Sequence, residues 1–256
     1  MKHVFSLLLL TAALNIACSS QQKEASATGL DVDSLALVLE GDSTVYGLVC
    51  DGHTDTILVF LPLNNIQSDP DTFNILNASR NHNVFGRLKI GDHVAVVRNQ
   101  ADSTVADFVI DTDDLQNTWC YEVLPTLHKR ADMDGNSESQ MIASLPDSLR
   151  EQLLVAREYG IDIKGDQTMF SFGESAKMVE TEDNQVADYP PLRHYGRWAL
   201  LNGKLLMGVI EPDSTGKLQQ VAIDTAQFVM MDRDTLVLRF NDGLHNYYRQ
   251  KEKPQN

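Results

Sequence analysis

The sequence predicts a mainly β protein, with two antiparallel barrel-like units in succession and one helix inserted in the second. Three observations lead there. Short runs rich in β-branched and aromatic residues recur along most of the chain, separated by turn formers. Two hairpin signatures, Asn202-Gly203 and Asn241-Asp242-Gly243, are flanked by strand-like segments. One stretch, residues 144–159, carries a helical stripe with start and stop residues. At 256 residues and 43% hydrophobic content the chain can hold one large or two ordinary domains around a real core.

The N-terminus has the plan of an export signal. Lys2 precedes an apolar run reaching about Leu14, and small residues follow up to Ala17. That run is well short of the ~20 residues a spanning helix needs, so no permanent transmembrane helix is expected. "NIAC" resembles the bacterial lipoprotein signal, in which a small residue precedes the cysteine that becomes residue one and carries the acyl chains. Asn15 stands where that pattern usually has Leu; cleavage of an ordinary secretory signal near "ACS" is the alternative. The resemblance implies a signal over 1–17, lipidation of Cys18 and a membrane partner held through several acyl chains, which anchor stably where one would not. Residues 18–33, small and polar, then read as a flexible tether. No Asp follows Cys18, which points to the outer membrane and a periplasm-facing protein in the cell envelope.

Loss of Lys2 with the signal makes the formal charge of −15 one unit more negative. So acidic a surface repels phosphate backbones, and no nucleic-acid partner is expected. Outside the cytoplasm a disulfide can persist, and Cys50 and Cys120 are the candidate pair. The alternative is that each is a small buried hydrophobe. Neither has a second Cys or His at zinc-site spacing.

Residues 34–112 read as the first unit. "STVYGLVCD" and "TDTILVFLP" are strands joined through Gly52-His53, and the polar segment "NNIQSDPDTFNILNASRNHN" reads as a long connection with at most a short helical turn. "FGRLKIGDHVAVVRN" bends at Gly91-Asp92 into a strong strand, and "STVADFVIDT" gives another. Five or so strands in so short a segment must protect their edges, and a small OB-like barrel does so.

Residues 113–250 read as the second unit, with 251–256 a tail. "LQNTWCYEVLP" opens it after the acidic turn "DTDD". The helix then has Ser144 as cap, Pro146 and Asp147 in the first turn, a stripe of Leu145, Leu149, Leu153 and Ala156, and Gly160 as stop. Strands follow at "QTMFSFG", "SAKMVET", "HYGRWALL", "KLLMGVI", "LQQVAIDT", "QFVMMD", "DTLVLRF" and "LHNYYRQ". The last hairpins form an up-and-down meander, and in "DTLVLRF" Leu236, Leu238 and Phe240 share one face.

The order of these features resembles bacterial lipoproteins with a lipocalin-like domain. The matching elements are "LQNTWCYEV", a helical insertion, "YGIDIKGDQTMFSFG", "YGRWALLNGKLLM", "IDTAQFVMMDRDTLVLRF" and "YYRQ", over residues 115–250. The resemblance implies that Trp119 plugs the barrel and that Arg249 lies across its indole as a structural pair, although Asn117 replaces the glycine usual two places before the Trp.

No Gly-rich phosphate loop, nucleophile elbow, H-E-x-x-H or C-x-x-C occurs, so no catalytic residues, cofactor or metal are expected. "CDGHTD" reads as a polar turn, and "DMDGN" lacks the glycine and glutamate of a calcium loop. The expected function is non-catalytic. A lipocalin-like interior offers a site for a small lipophilic ligand, lined by Phe170, Phe172, Tyr195, Leu205, Met207, Phe228, Met230 and Phe240. The same residues would equally fill an ordinary core, in which case the protein is an envelope scaffold presenting its acidic face to a protein partner.

Overall fold

A computed structural model describes residues 41–127, 140, 143, 146–147, 155–173 and 187–251. The signal, the tether, Cys18 and the "DMDGN" segment lie outside the described residues. Within them the chain is mainly β, in two barrel-like sheets.

The first sheet contains β1 (Thr44–Val49), β2 (Ile57–Pro62), β3 (Asp71–Asn74), β4 (Val84–Phe85), β5 (His93–Arg98) and β6 (Ala106–Asp111), in the order β3-β2-β1-β5-β6-β4. Pairings are antiparallel except β4 with β6. At its far edge Asn74 forms a parallel bridge to Val105, its N–H donating to the Thr104 carbonyl at 2.8 Å. Helix α1 (Leu76–Arg80) follows β3. Five strands curled shut by a parallel bridge, with a helix after the third, make an OB-like barrel. Leu58, Phe60, Phe73, Ile75, Val94, Val96 and Val109 fill it. β3 and α1 lie in the polar segment expected to be a connection. Phe73 and Ile75 are fully buried there, and two apolar anchors suffice to hold a short edge strand that periodicity alone does not reveal.

Helix α2 (Thr112–Leu115) joins the sheets at "DTDD", where the Asp111 side chain accepts from the N–H groups of Asp113 and Asp114 as an N-cap. The second sheet contains β7 (Thr118–Val123), β9 (Arg157–Ile163), β10 (Met169–Gly173), β12 (Tyr195–Leu201), β13 (Lys204–Pro212), β14 (Leu218–Asp232), β15 (Thr235–Phe240) and β16 (Gly243–Arg249). β8 (Thr126–Leu127) and β11 (Ala187–Asp188) pair separately. The order β10-β9-β7-β16-β15-β14-β13-β12 is an up-and-down barrel. It is nearly closed: β10 meets β12 through a Thr168 to Arg197 bridge and a Trp198 N–H donating to the Gln167 carbonyl at 2.9 Å.

Two expectations are corrected. The helix proposed for residues 144–159 does not reach its stop. Asp147 is helical, but Pro146 is not, and Arg157–Ile163 is strand β9, with Gly160 in mid-strand opposite Cys120. Tyr159, Ile161 and Ile163 alternate inward there, and pairing with β7 overrides a locally helical composition. The segments "LQQVAIDT" and "QFVMMD" are one 15-residue strand, β14, kinked by a bulge between Phe228 and Met230. The Asn202-Gly203 turn is a two-residue hairpin with both φ positive, at 48° and 79°.

The two barrels share a core. Phe85, Ala95 and Ile110 of the first sheet pack in one cluster with Trp119, Met169, Leu205, Met207, Phe228 and Leu236 of the second. The Gly86 N–H donates to the Met231 carbonyl at 3.0 Å, and Asn202 binds Ser43 and Gly41 across the junction. The OB-like unit therefore stoppers one end of the eight-stranded barrel.

Candidate functional site

Because side chains alternate along a strand, every other residue of the eight-stranded barrel points inside. Near the OB-like unit these residues are packed solid. Trp119 is fully buried, and its indole N–H donates to the Leu115 carbonyl at 2.9 Å. The Arg249 guanidinium lies 5.5 Å from its ring centre and also reaches the Asp114 carboxylate at 3.6 Å. Trp198 and Leu200 close the same floor.

Towards the other end the barrel opens into a cavity of about 870 Å³. Its walls follow the same inward parity: Tyr121 on β7, Tyr159 on β9, Ser171 on β10, Tyr195 on β12, Asp224 on β14, Phe240 on β15 and Tyr247 on β16. The Tyr121 ring stands nearly perpendicular to two others, at 82° to Tyr159 with centres 6.0 Å apart and at 76° to Tyr247 with centres 5.2 Å apart. The Tyr159 hydroxyl donates to the Pro190 carbonyl at 3.1 Å, which ties the segment before β12 to the rim. The Tyr195 hydroxyl donates to Asp224 at 2.9 Å, and Arg193 grips the same carboxylate through both Nε and Nη2. At the rim His245 contacts Asp242 at 3.1 Å and stacks obliquely on Phe240.

The phenols are held in their neutral form. Burial raises the Tyr121 hydroxyl and lifts those of Tyr195 and Tyr247 well above the usual range, and the Asp224 carboxylate adds to this at Tyr195. At Tyr247 the Tyr121 phenol adds next, then the Asp242 carboxylate. The cavity thus has the half-buried Tyr121, Tyr195 and Phe240 rings in its wall and negative charge at its mouth, an arrangement suited to binding.

Of the eight residues expected to line the interior, Tyr195 and Phe240 border the cavity. Leu205, Met207 and Phe228 are inside the barrel but locked into the packed floor. Phe170, at 40% exposed, and Met230, at 46%, are on the outer surface and line nothing inside. Both were placed by apolar character alone, and the alternation of β10 and the bulge in β14 turn them outward. Phe172 is also on the outer face, lying over Gly160 of the neighbouring strand, where there is no room for a Cβ.

Tyr121, Tyr159 and Tyr247 are not among the expected residues, yet the sequence carries a signal for two of them. Tyr121 is two residues after Trp119 and Tyr247 two before Arg249, so both share the inward parity of that pair. The candidate disulfide is corrected: Cys50, in the turn after β1, and Cys120, on β7, are free thiols. Cys120 is fully buried between Gly160 and Tyr248, and its thiol is pushed up to about 11, first by burial and then by Glu158. "CDGHTD" is a turn in which His53 Nδ1 lies 3.3 Å from the Cys50 carbonyl. Among the described residues no three His, Cys, Asp or Glu side chains gather as a metal site would require. Comparison with protein-family models, curated proteins and solved structures returned no match.

Proposed function

We propose that the protein is a lipid-anchored, non-catalytic binding protein of the cell envelope, whose eight-stranded barrel holds a small apolar or amphipathic molecule. The observation that carries this reading is the cavity of about 870 Å³, floored by a packed core and walled by tyrosine and phenylalanine rings. Its size is in the range of small-molecule sites, and ring faces with a few placed polar groups are what such sites use. The anchor rests on Cys18 and the polar tether behind it.

Native mass spectrometry of protein purified from its own host, without detergent, tests the binding role. A reproducible small-molecule adduct on the barrel supports it, and a consistently empty protein that binds no lipophile from its host's extract overturns it.

A second reading, an envelope scaffold, is favoured by the outer face of β14, where Val221, Ile223, Val229 and Met230 are each at least 36% exposed. Crosslinking in intact cells would return a reproducible protein partner at β14 under that reading, and none under the first.

A further inference from the structure

The cavity has a polarity that narrows what it would hold. Its charged residues are Asp224 and, at the rim, Asp242 against Arg193, with His245 beside Asp242; Glu122 borders the opening but follows the inward Tyr121 on β7 and faces outward. The charge of Arg193 is matched by the Asp224 carboxylate, which it holds through Nε and Nη2. Negative charge is left over at the mouth on Asp242, above the half-buried Tyr121 ring, which the buried Tyr159 and Tyr247 rings hold edge to face. Tyrosine faces are electron-rich and attract a cation placed within about 6 Å of the ring centre.

We infer that the barrel selects amphipathic ligands that carry a positively charged nitrogen, seated against the half-buried Tyr121 ring with Asp242 at the mouth, and with the apolar part lying along Pro190 and Phe240. This inference rests on the cavity being a ligand site. Burial, the main cause of the raised Tyr195 and Tyr247 hydroxyls, opposes charge of either sign, whereas the Asp224 and Asp242 carboxylates, which add to it, repel a carboxylate and attract a cation. A fatty acid headgroup is therefore disfavoured where an ammonium is welcome. The Tyr159 and Tyr195 hydroxyls already donate to the Pro190 carbonyl and to Asp224, so the Tyr121 ring face supplies the selective term.

Three probes of equal chain length decide it: decyltrimethylammonium, decanol and decanoate, each below its aggregation concentration. Each is titrated by calorimetry into the mature chain carrying Cys18→Ser, so that no acyl chain competes. The ammonium is expected to bind roughly tenfold tighter than decanol, with decanoate weakest. Tyr121→Phe keeps the ring and should keep the preference, and Tyr121→Leu should remove it while leaving decanol binding in place. Asp242→Asn, at an exposed rim position, should weaken the ammonium alone by a few-fold, and it guards against a Tyr121→Leu chain that does not fold. Equal binding of ammonium and decanol, or tighter binding of decanoate, overturns the inference and leaves the cavity as a ligand site. If none of the three binds, the cavity reading itself falls, and the inference with it.

Discussion

At the scale of single residues, the barrel floor and the junction carry the sharpest energetic statements. Trp119 combines complete burial, an indole hydrogen bond and the stacked Arg249. Trp119→Ala should cost about 3–5 kcal/mol, read as a lower urea midpoint, because the cavity left behind lies where both barrels meet. A smaller loss, under about 1 kcal/mol, would mean that the floor collapses freely. Asp111 behaves differently. It is fully buried, one carboxylate oxygen caps α2, the other has no hydrogen-bond partner, and its pKa is pushed up to about 7. Burial is the main cause; the backbone N–H of Asp114 pulls the other way, and the charges of Asp114, Asp92 and Asp113 push it further up. Since the folded pKa exceeds the unfolded value near 3.9, the native state binds the extra proton, and its stability falls as pH rises from about 4 to 7, then levels off. Asp111→Asn keeps an oxygen for the cap and carries no charge. It should flatten that slope and equal or exceed the parent stability at pH 8, as measured by denaturant titration across pH; a variant that is destabilised at pH 8 with its slope intact would contradict this assignment.

At the scale of elements, the seam between β10 and β12 is the weak line of the eight-stranded barrel. It is held by one bridge and few cross-strand hydrogen bonds, whereas β13 and β14 pair over nine residues. Hydrogen exchange should therefore be faster at Met169–Gly173 than along β13, and equal protection would show that the seam is more fully zipped. How much of these elements could be read from the chain follows from how each is held. The hairpin at Asn202-Gly203 was legible because its turn chemistry is local, and the strands around it because their apolar residues alternate. β9 was not, because the helical stripe ending at Ala156 and the Gly160 stop read as a helix end, which hides the alternation of Tyr159, Ile161 and Ile163 that pairing with β7 uses. β3 was hidden by its polar flanks. The cavity was half legible: aromatic composition alone points to Tyr195 and Phe240, whereas Tyr121 and Tyr247, not among the expected residues, follow only from inward parity counted from Trp119 and Arg249.

At the scale of the whole molecule, the joint core decides behaviour. Phe85 and Ile110 belong to the cluster that holds Trp119, and Phe108 packs against the Gly203 turn, so neither barrel is complete without the other. Calorimetry should show a single unfolding transition for both units; two resolved transitions would mean that the shared cluster contributes little to cooperativity. The proposed anchor predicts that Cys18→Ser moves the protein from the membrane fraction to the soluble one, and a variant that still sediments with membranes would remove the lipid from the account. The central claim is that the open end of the barrel receives a small molecule. Both tryptophans, Trp119 and Trp198, lie in the floor beneath it and so form a built-in reporter. The most direct measurement is energy transfer from them to a neutral naphthylamine dye, in the parent chain and in Ser171→Phe, which puts a ring into the cavity. The account predicts one saturable site with strong transfer, lost in a Ser171→Phe chain that keeps its melting temperature; absence of transfer at saturating dye, or unchanged binding in that variant, would contradict it.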